Sequence, residues 1–215
     1  MKLKPYELPE QGYELLVKLP HKEMVPFVLE NLRKRNPVTL FFWGVSALSV
    51  LGWLFHILVA GLEGQLELIG FLSFTSLSLF FFLIPLIPLH ELVHGAVYKL
   101  LGAPRVAYGA DWSKMVFYAI APSFVVNSRE FILLALAPFV VFSALLVPLI
   151  FLVPPNWLWA VWGLFLLHTS GCAGDFAMVS FCYENRKRGL VTFDEEEVSF
   201  FLIKDLEGRS IEKRI

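Results

Sequence analysis

His90, Glu91 and His94 stand in one run, His90-Glu91-Leu92-Val93-His94, whose residue types and spacing suit metal-assisted hydrolysis. A histidine pair at i and i+4 shares one helical face, one turn apart. Both imidazoles can then reach one tetrahedral metal at about 2.0–2.1 Å. The glutamate directly after the first histidine can meet a metal-bound water, the general-base arrangement of zinc hydrolases. Zinc lowers the pKa of that water to roughly 7, so hydroxide is available at neutral pH. The bland reading of the same residues is polar helix packing. It is the weaker one, because a glutamate and two histidines inside an apolar run are costly unless they face a cavity, a partner or a metal.

A catalytic zinc usually has three protein ligands and one open position. Asp175 is the only aspartate inside any apolar block, and the basic residues that follow allow a comparison of depth. His90 and His94 lie nine and five residues before Lys99, and Asp175 lies eleven before Arg186. At about 1.5 Å per residue the three side chains sit at similar depth. Gly171 and Gly174 beside Asp175 permit close helix approach. An orienting carboxylate behind a histidine is the other role open to Asp175. His168 is the rival ligand. It lies on the same face about two turns deeper, where it can instead line the cavity. His56 reads as a packed polar residue, and His21, in a polar segment, carries no signal. Cys172 and Cys182 show no disulfide framework and read as small buried hydrophobes.

The elements that must position these groups are apolar blocks. Of the 215 residues 57% are hydrophobic and 17% charged, and 21 are phenylalanine. An ordinary soluble domain is about 45–50% apolar and about 25% charged. The excess is concentrated in runs long enough to span a bilayer. The fold class expected is an α-helical integral membrane protein of about four transmembrane helices, with a small cytoplasmic β-hairpin and short soluble termini. Residues 1–37 form a polar N-terminal segment, read as a short strand and an amphipathic helix that Asn36-Pro37 breaks. No cleavable signal peptide is expected there. Residues 38–182 are the membrane domain. Within it, 66–101 carries the histidines, 102–129 is a hairpin connector and 157–181 is the last span, which bears Asp175. Residues 183–215 form a polar tail.

The 66–101 block is too long for one straight span of about 20 residues. Pro85 and Pro88 predict a kink or an unwound turn within it. In the connector, 105–108 and 115–121 are strand-like, with Gly109-Ala110-Asp111 able to turn between them. The basic residues fall on one side of the four spans: Arg33 to Arg35 before the first, Lys99 to Arg129 between the second and third, Arg186 to Arg188 after the last. The positive-inside rule makes that side cytoplasmic, with both termini there.

His90-Glu91-Leu92-Val93-His94-Gly95, the later Leu134-Ala135-Leu136-Ala137-Pro138 and Gly174-Asp175 together resemble the small putative zincin peptidases. More distantly, the layout is similar to the site-2 intramembrane proteases. The resemblance covers about residues 70–182. It implies Zn2+ held by His90, His94 and Asp175, with Glu91 as catalytic base. The chain departs from the site-2 pattern at Ala137, where a glycine is usual, and in the residues preceding Asp175.

The expected function is an intramembrane zinc metalloprotease that hydrolyses peptide bonds in or near membrane segments. The alternative is a zinc-binding membrane scaffold or regulatory protein without turnover. A di-iron lipid hydroxylase would need many more histidines than the five present. The partners expected are a membrane protein or peptide substrate and the lipid bilayer, with no nucleic acid. Asn127 and Asn156 are weak candidates for orienting substrate, each more readily a turn or interface residue. The apolar strand 115–120 is a candidate edge for holding an extended substrate, or else a cover over the cavity.

Overall fold

The computed structural model describes residues 2–64, 67–112 and 116–204. The first residues of the expected second span, Met115 of the connector and the end of the tail lie outside them. Helix α1 (Met24–Leu32) precedes the first long apolar helix, α2 (Pro37–Leu62). Helix α1 ends at Leu32, with Arg33 as its C-cap, and Asn36 starts α2. Its side-chain oxygen accepts from the Val38 and Thr39 backbone N–H groups, and Pro37 opens the helix without wasting a donor. Its Nδ2 donates to Ser180 Oγ at 2.8 Å and to Glu184 Oε1 at 2.9 Å, tying the start of α2 to the end of the last helix.

Helix α3 (Leu68–Phe81) continues into α4 (Ile87–Leu100) through a π-helical turn, Phe82–Leu86. Where a kink or an unwound turn was expected at Pro85 and Pro88, the chain makes an under-wound helical turn. Ile87 N–H bonds to the Phe82 carbonyl, one residue further back than in an α-helix, so the ladder steps past the proline without opening. Helix α5 (Ser128–Leu152) is followed by α6 (Pro155–Gly171) and α7 (Ala173–Glu184), which meet at Cys172 with a bend of 41°.

Three helices, Pro37–Leu62, Leu68–Leu100 and Ser128–Leu152, are long and apolar enough to cross a membrane, and the bent α6–α7 pair makes a fourth if it counts as one span. No more than 28% of any of the three most apolar windows is buried in the protein, so their apolar faces point outward. Inside the bundle, Gly163 brings α6 close to α3: a Cβ there would fall 2.5 Å from Ser78 Oγ. Small residues at such crossings let backbones approach where apolar surroundings offer no hydrophobic drive.

Among the described residues six strands lie at the end of the helices where α4 stops and α5 starts: β1 (Glu14–Pro20), β2 (Ala107–Asp111), β3 (Val116–Ile120), β4 (Val126–Asn127), β5 (Val191–Glu195) and β6 (Val198–Ile203). The connector hairpin is present as β2 paired antiparallel with β3, Tyr108 opposite Ala119. Its turn is not at Gly109–Asp111, which continue strand β2. The remaining strands form one antiparallel sheet in the order β1-β6-β5-β4. The sequence reading anticipated β1 but treated the other side of this sheet as a polar tail. Leu19, Leu190, Phe201 and Ile203 bury the sheet's inner face against Phe181 and Cys182 of α7, which fixes the sheet to the helices. Cys182 is the packing residue expected.

Candidate metal centre

His90 and His94 project from α4 one turn apart, and Asp175 projects from the first turn of α7. The break at Cys172 lets the chain re-enter helix at an angle that aims Asp175 at α4. Asp175 Oδ2 lies 3.1 Å from His90 Nε2, and Oδ1 lies 3.3 Å from His94 Nε2. A tetrahedral zinc with nitrogen and oxygen ligands at about 2.0–2.2 Å holds neighbouring ligand atoms about 3.4 Å apart. The spacing of this donor set therefore fits zinc. The three sequence candidates for ligands come together, each on the element expected.

The orientation of His94 follows from a proline. Pro138 has no N–H, so the Leu134 carbonyl, four residues earlier on α5, loses its helical donor. His94 Nδ1 takes the place of that donor at 3.0 Å from the Leu134 oxygen. With its proton on Nδ1, His94 presents the lone pair of Nε2 to Asp175 and the metal position. Sequence reasoning noted Leu134 to Pro138 only as a resemblance. The proline at i+4 from a carbonyl was the physical signal available.

Glu91 shares the cavity with the histidines. Its Oε2 is buried and has no hydrogen-bond partner among the described residues, while the Ala119 backbone N–H of β3 bears on the carboxylate. An orphaned buried carboxylate oxygen is costly unless water or a reacting group meets it. The cavity measures about 460 Å³ and runs from His168 and Asp175, past Glu91, between β3 and Met24 and Val28 of α1.

Its other end is polar, which the sequence reading missed. Tyr98, one turn beyond His94, donates to Asp194 Oδ2 at 3.3 Å, and Ser199 Oγ donates to Oδ1 at 2.6 Å. Burial raises the Asp194 carboxyl above the usual carboxylate range, with Ser199, His21 and Tyr98 opposing. The His21 ring meets Tyr118 edge-on at 4.5 Å, and burial lowers its pKa against the pull of Asp194 and Glu197.

The remaining candidates do not join this triad, although the His168 ring lies behind it, 6.4 Å between centroids from that of His90. His168 is 1% exposed, deeper on α6, with its ring stacked on Phe139. His56 packs on Trp159 at 4.1 Å. Asn127 caps the start of α5 by accepting from Arg129 and Glu130 N–H, the turn role expected of it. Asn156 is exposed in the first turn of α6, at the far end of the bundle.

Comparison with curated proteins and with solved structures gives no match. The sequence model of the family described as "Putative zincin peptidase" matches residues 83–189, a stretch that includes His90, Glu91, His94, Pro138 and Asp175. With a zinc-compatible donor set inside it, the matched stretch supports placing the chain in the putative zincin peptidase family.

Proposed function

We propose that the protein is an intramembrane zinc metalloprotease that cleaves peptide bonds in or beside membrane segments, near the cytoplasmic face. The observation that carries this reading is the convergence of His90, His94 and Asp175 on one point beside Glu91 Oε2, which has no hydrogen-bond partner among the described residues. The outward apolar faces of α2, α3–α4 and α5 support insertion in a bilayer. The basic residues cluster at the sheet end, which supports placing that end in the cytoplasm.

His90, His94 and Asp175 would hold the zinc. When bound, it supplies a charge that acidifies water and polarises the scissile carbonyl. Glu91 accepts a proton from the attacking water and hands it to the departing amine nitrogen. The His94–Leu134 hydrogen bond keeps one ligand in its working tautomer.

A peptide bond within a helix is shielded, so a membrane substrate must unwind locally. Unwinding frees backbone groups that hydrocarbon cannot satisfy. Among the described residues strand β3 pairs with β2 alone in its sheet, and its Ala119 N–H is turned to Glu91. An extended substrate between β3 and α1 would pair with that edge and lie across the cavity. The test uses the full chain in bilayers with a transmembrane peptide. Chelation should abolish cleavage, and added Zn2+ should restore it. Cleavage that survives complete zinc removal would sink the reading.

A further inference from the structure

A second group of metal-ligating side chains lies directly behind the first. His90, His168 and Cys172 each offer a ligand atom, and these atoms all lie within 4.8 Å of one another. Cys172 Sγ is 3.8 Å from His168 Nδ1 and 3.9 Å from Nε2. A tetrahedral zinc with nitrogen at about 2.0–2.1 Å and sulfur at about 2.3 Å separates those atoms by about 3.6 Å. The pair is thus within coordination range once the sulfur, now nearly equidistant from both ring nitrogens, turns toward one of them. Cys172 is wholly buried and His168 is 1% exposed. Phe139 stacks on the His168 ring, with centroids 6.0 Å apart, and Phe142 meets it edge-on at 5.5 Å. The ring is therefore held by packing. Cys172 sits at the one residue between α6 and α7, where the 41° bend turns its side chain back toward the preceding turn and leaves Asp175 to face α4.

We propose that His90, His168 and Cys172 form a second, inner zinc position that excludes the outer one, because His90 serves both. The outer set is two imidazoles and a carboxylate, the inner set two imidazoles and a thiolate. Sulfur and imidazole donors suit zinc well. On binding, Cys172 gives up its thiol proton to water. An ion in the inner position is withdrawn from Asp175 and His94, so it is held in reserve rather than poised beside Glu91. Binding is the whole of this proposal, and it stands whether or not the protein cleaves peptides.

The test is zinc content and X-ray absorption on the full chain in detergent, loaded with Zn2+ alone. Wild type should bind one zinc per chain and not two. Asp175→Ala should still bind one, now with a sulfur neighbour at about 2.3 Å. Adding Cys172→Ala to Asp175→Ala should remove it. His94→Ala dismantles the outer set from the other helix and should give the same sulfur-ligated ion, which keeps the test open if Asp175→Ala misfolds. Zinc lost from both single variants, or retained in them without sulfur, would overturn the inner position. Two zinc ions in wild type would overturn the exclusion. No zinc in wild type would remove both positions, whereas zinc without proteolysis would count against the protease reading alone.

Discussion

The two helical segments that present the candidate metal ligands are built differently. From the π turn to Leu100, α4 is unbroken, and it places His90, His94 and Tyr98 on one face at intervals of a turn. The α6–α7 pair is interrupted at Cys172 and bent by 41°, and its polar residues diverge: His168 and Cys172 face inward together, while Asp175 faces α4. A continuous helix fixes the spacing of two ligands by its own geometry. A broken one can aim neighbouring residues at two different points. The spacing of the histidine pair is thus set within one helix, whereas the aim of the third candidate ligand, Asp175, depends on the bend.

The largest effect is expected from His90→Ala. His90 is the residue common to both groups, so the variant should lose its zinc and its cleavage should drop to background. Elemental analysis with a cleavage assay measures both. Retained zinc would mean that the two segments do not share a ligand.

A smaller effect tests how α4 is held. Pro138→Ala restores a backbone N–H that competes with His94 for the Leu134 carbonyl. Loss of such a supporting hydrogen bond typically costs about 10–100-fold in metal affinity or activity. Zinc competition titration should show a weakening in that range with the helical content unchanged. Unaltered affinity would mean that His94 is oriented by something else.

The third change leaves both ligand segments alone. Ala119→Pro removes the N–H that bears on Glu91 and disrupts the β3 edge. Cleavage should fall sharply while zinc content stays whole. Full cleavage by a folded variant would leave β3 only a packing role over the cavity.

What the sequence made legible was local. The apolar blocks located the long helices, and i, i+4 spacing placed two ligands on one face. Matched depth along antiparallel connectivity picked out Asp175, because helical rise is a reliable ruler. Where the reading fell short, the structure depended on distant partners. Strand β1 pairs with β6 across nearly the whole chain, Lys18 opposite Phe200. Val191-Thr192-Phe193 and Val198 to Ile203 have strand composition, but their charged neighbours made the region look like a polar tail. Cys172 is the buried packing residue expected, set among Phe42, Phe139 and Phe176. Its helical spacing from His168 gains meaning only once α4 brings His90 beside them. Gly109 invited a turn, yet the Tyr118 side chain lies across it within strand β2, where a Cβ would fall 2.3 Å from the ring.

The central claim, that this donor set supports hydrolysis with Glu91 as the base, is tested most directly by Glu91→Gln. The substitution preserves size and most hydrogen bonding and removes the proton acceptor. Cleavage of a transmembrane peptide by zinc-loaded wild type and variant, side by side in the same bilayers, is the measurement. The account expects unchanged zinc content and a rate lower by about 10²–10⁴-fold, the range that a positioned general base supplies. A zinc-replete Glu91→Gln protein that cleaves at the wild-type rate would contradict it.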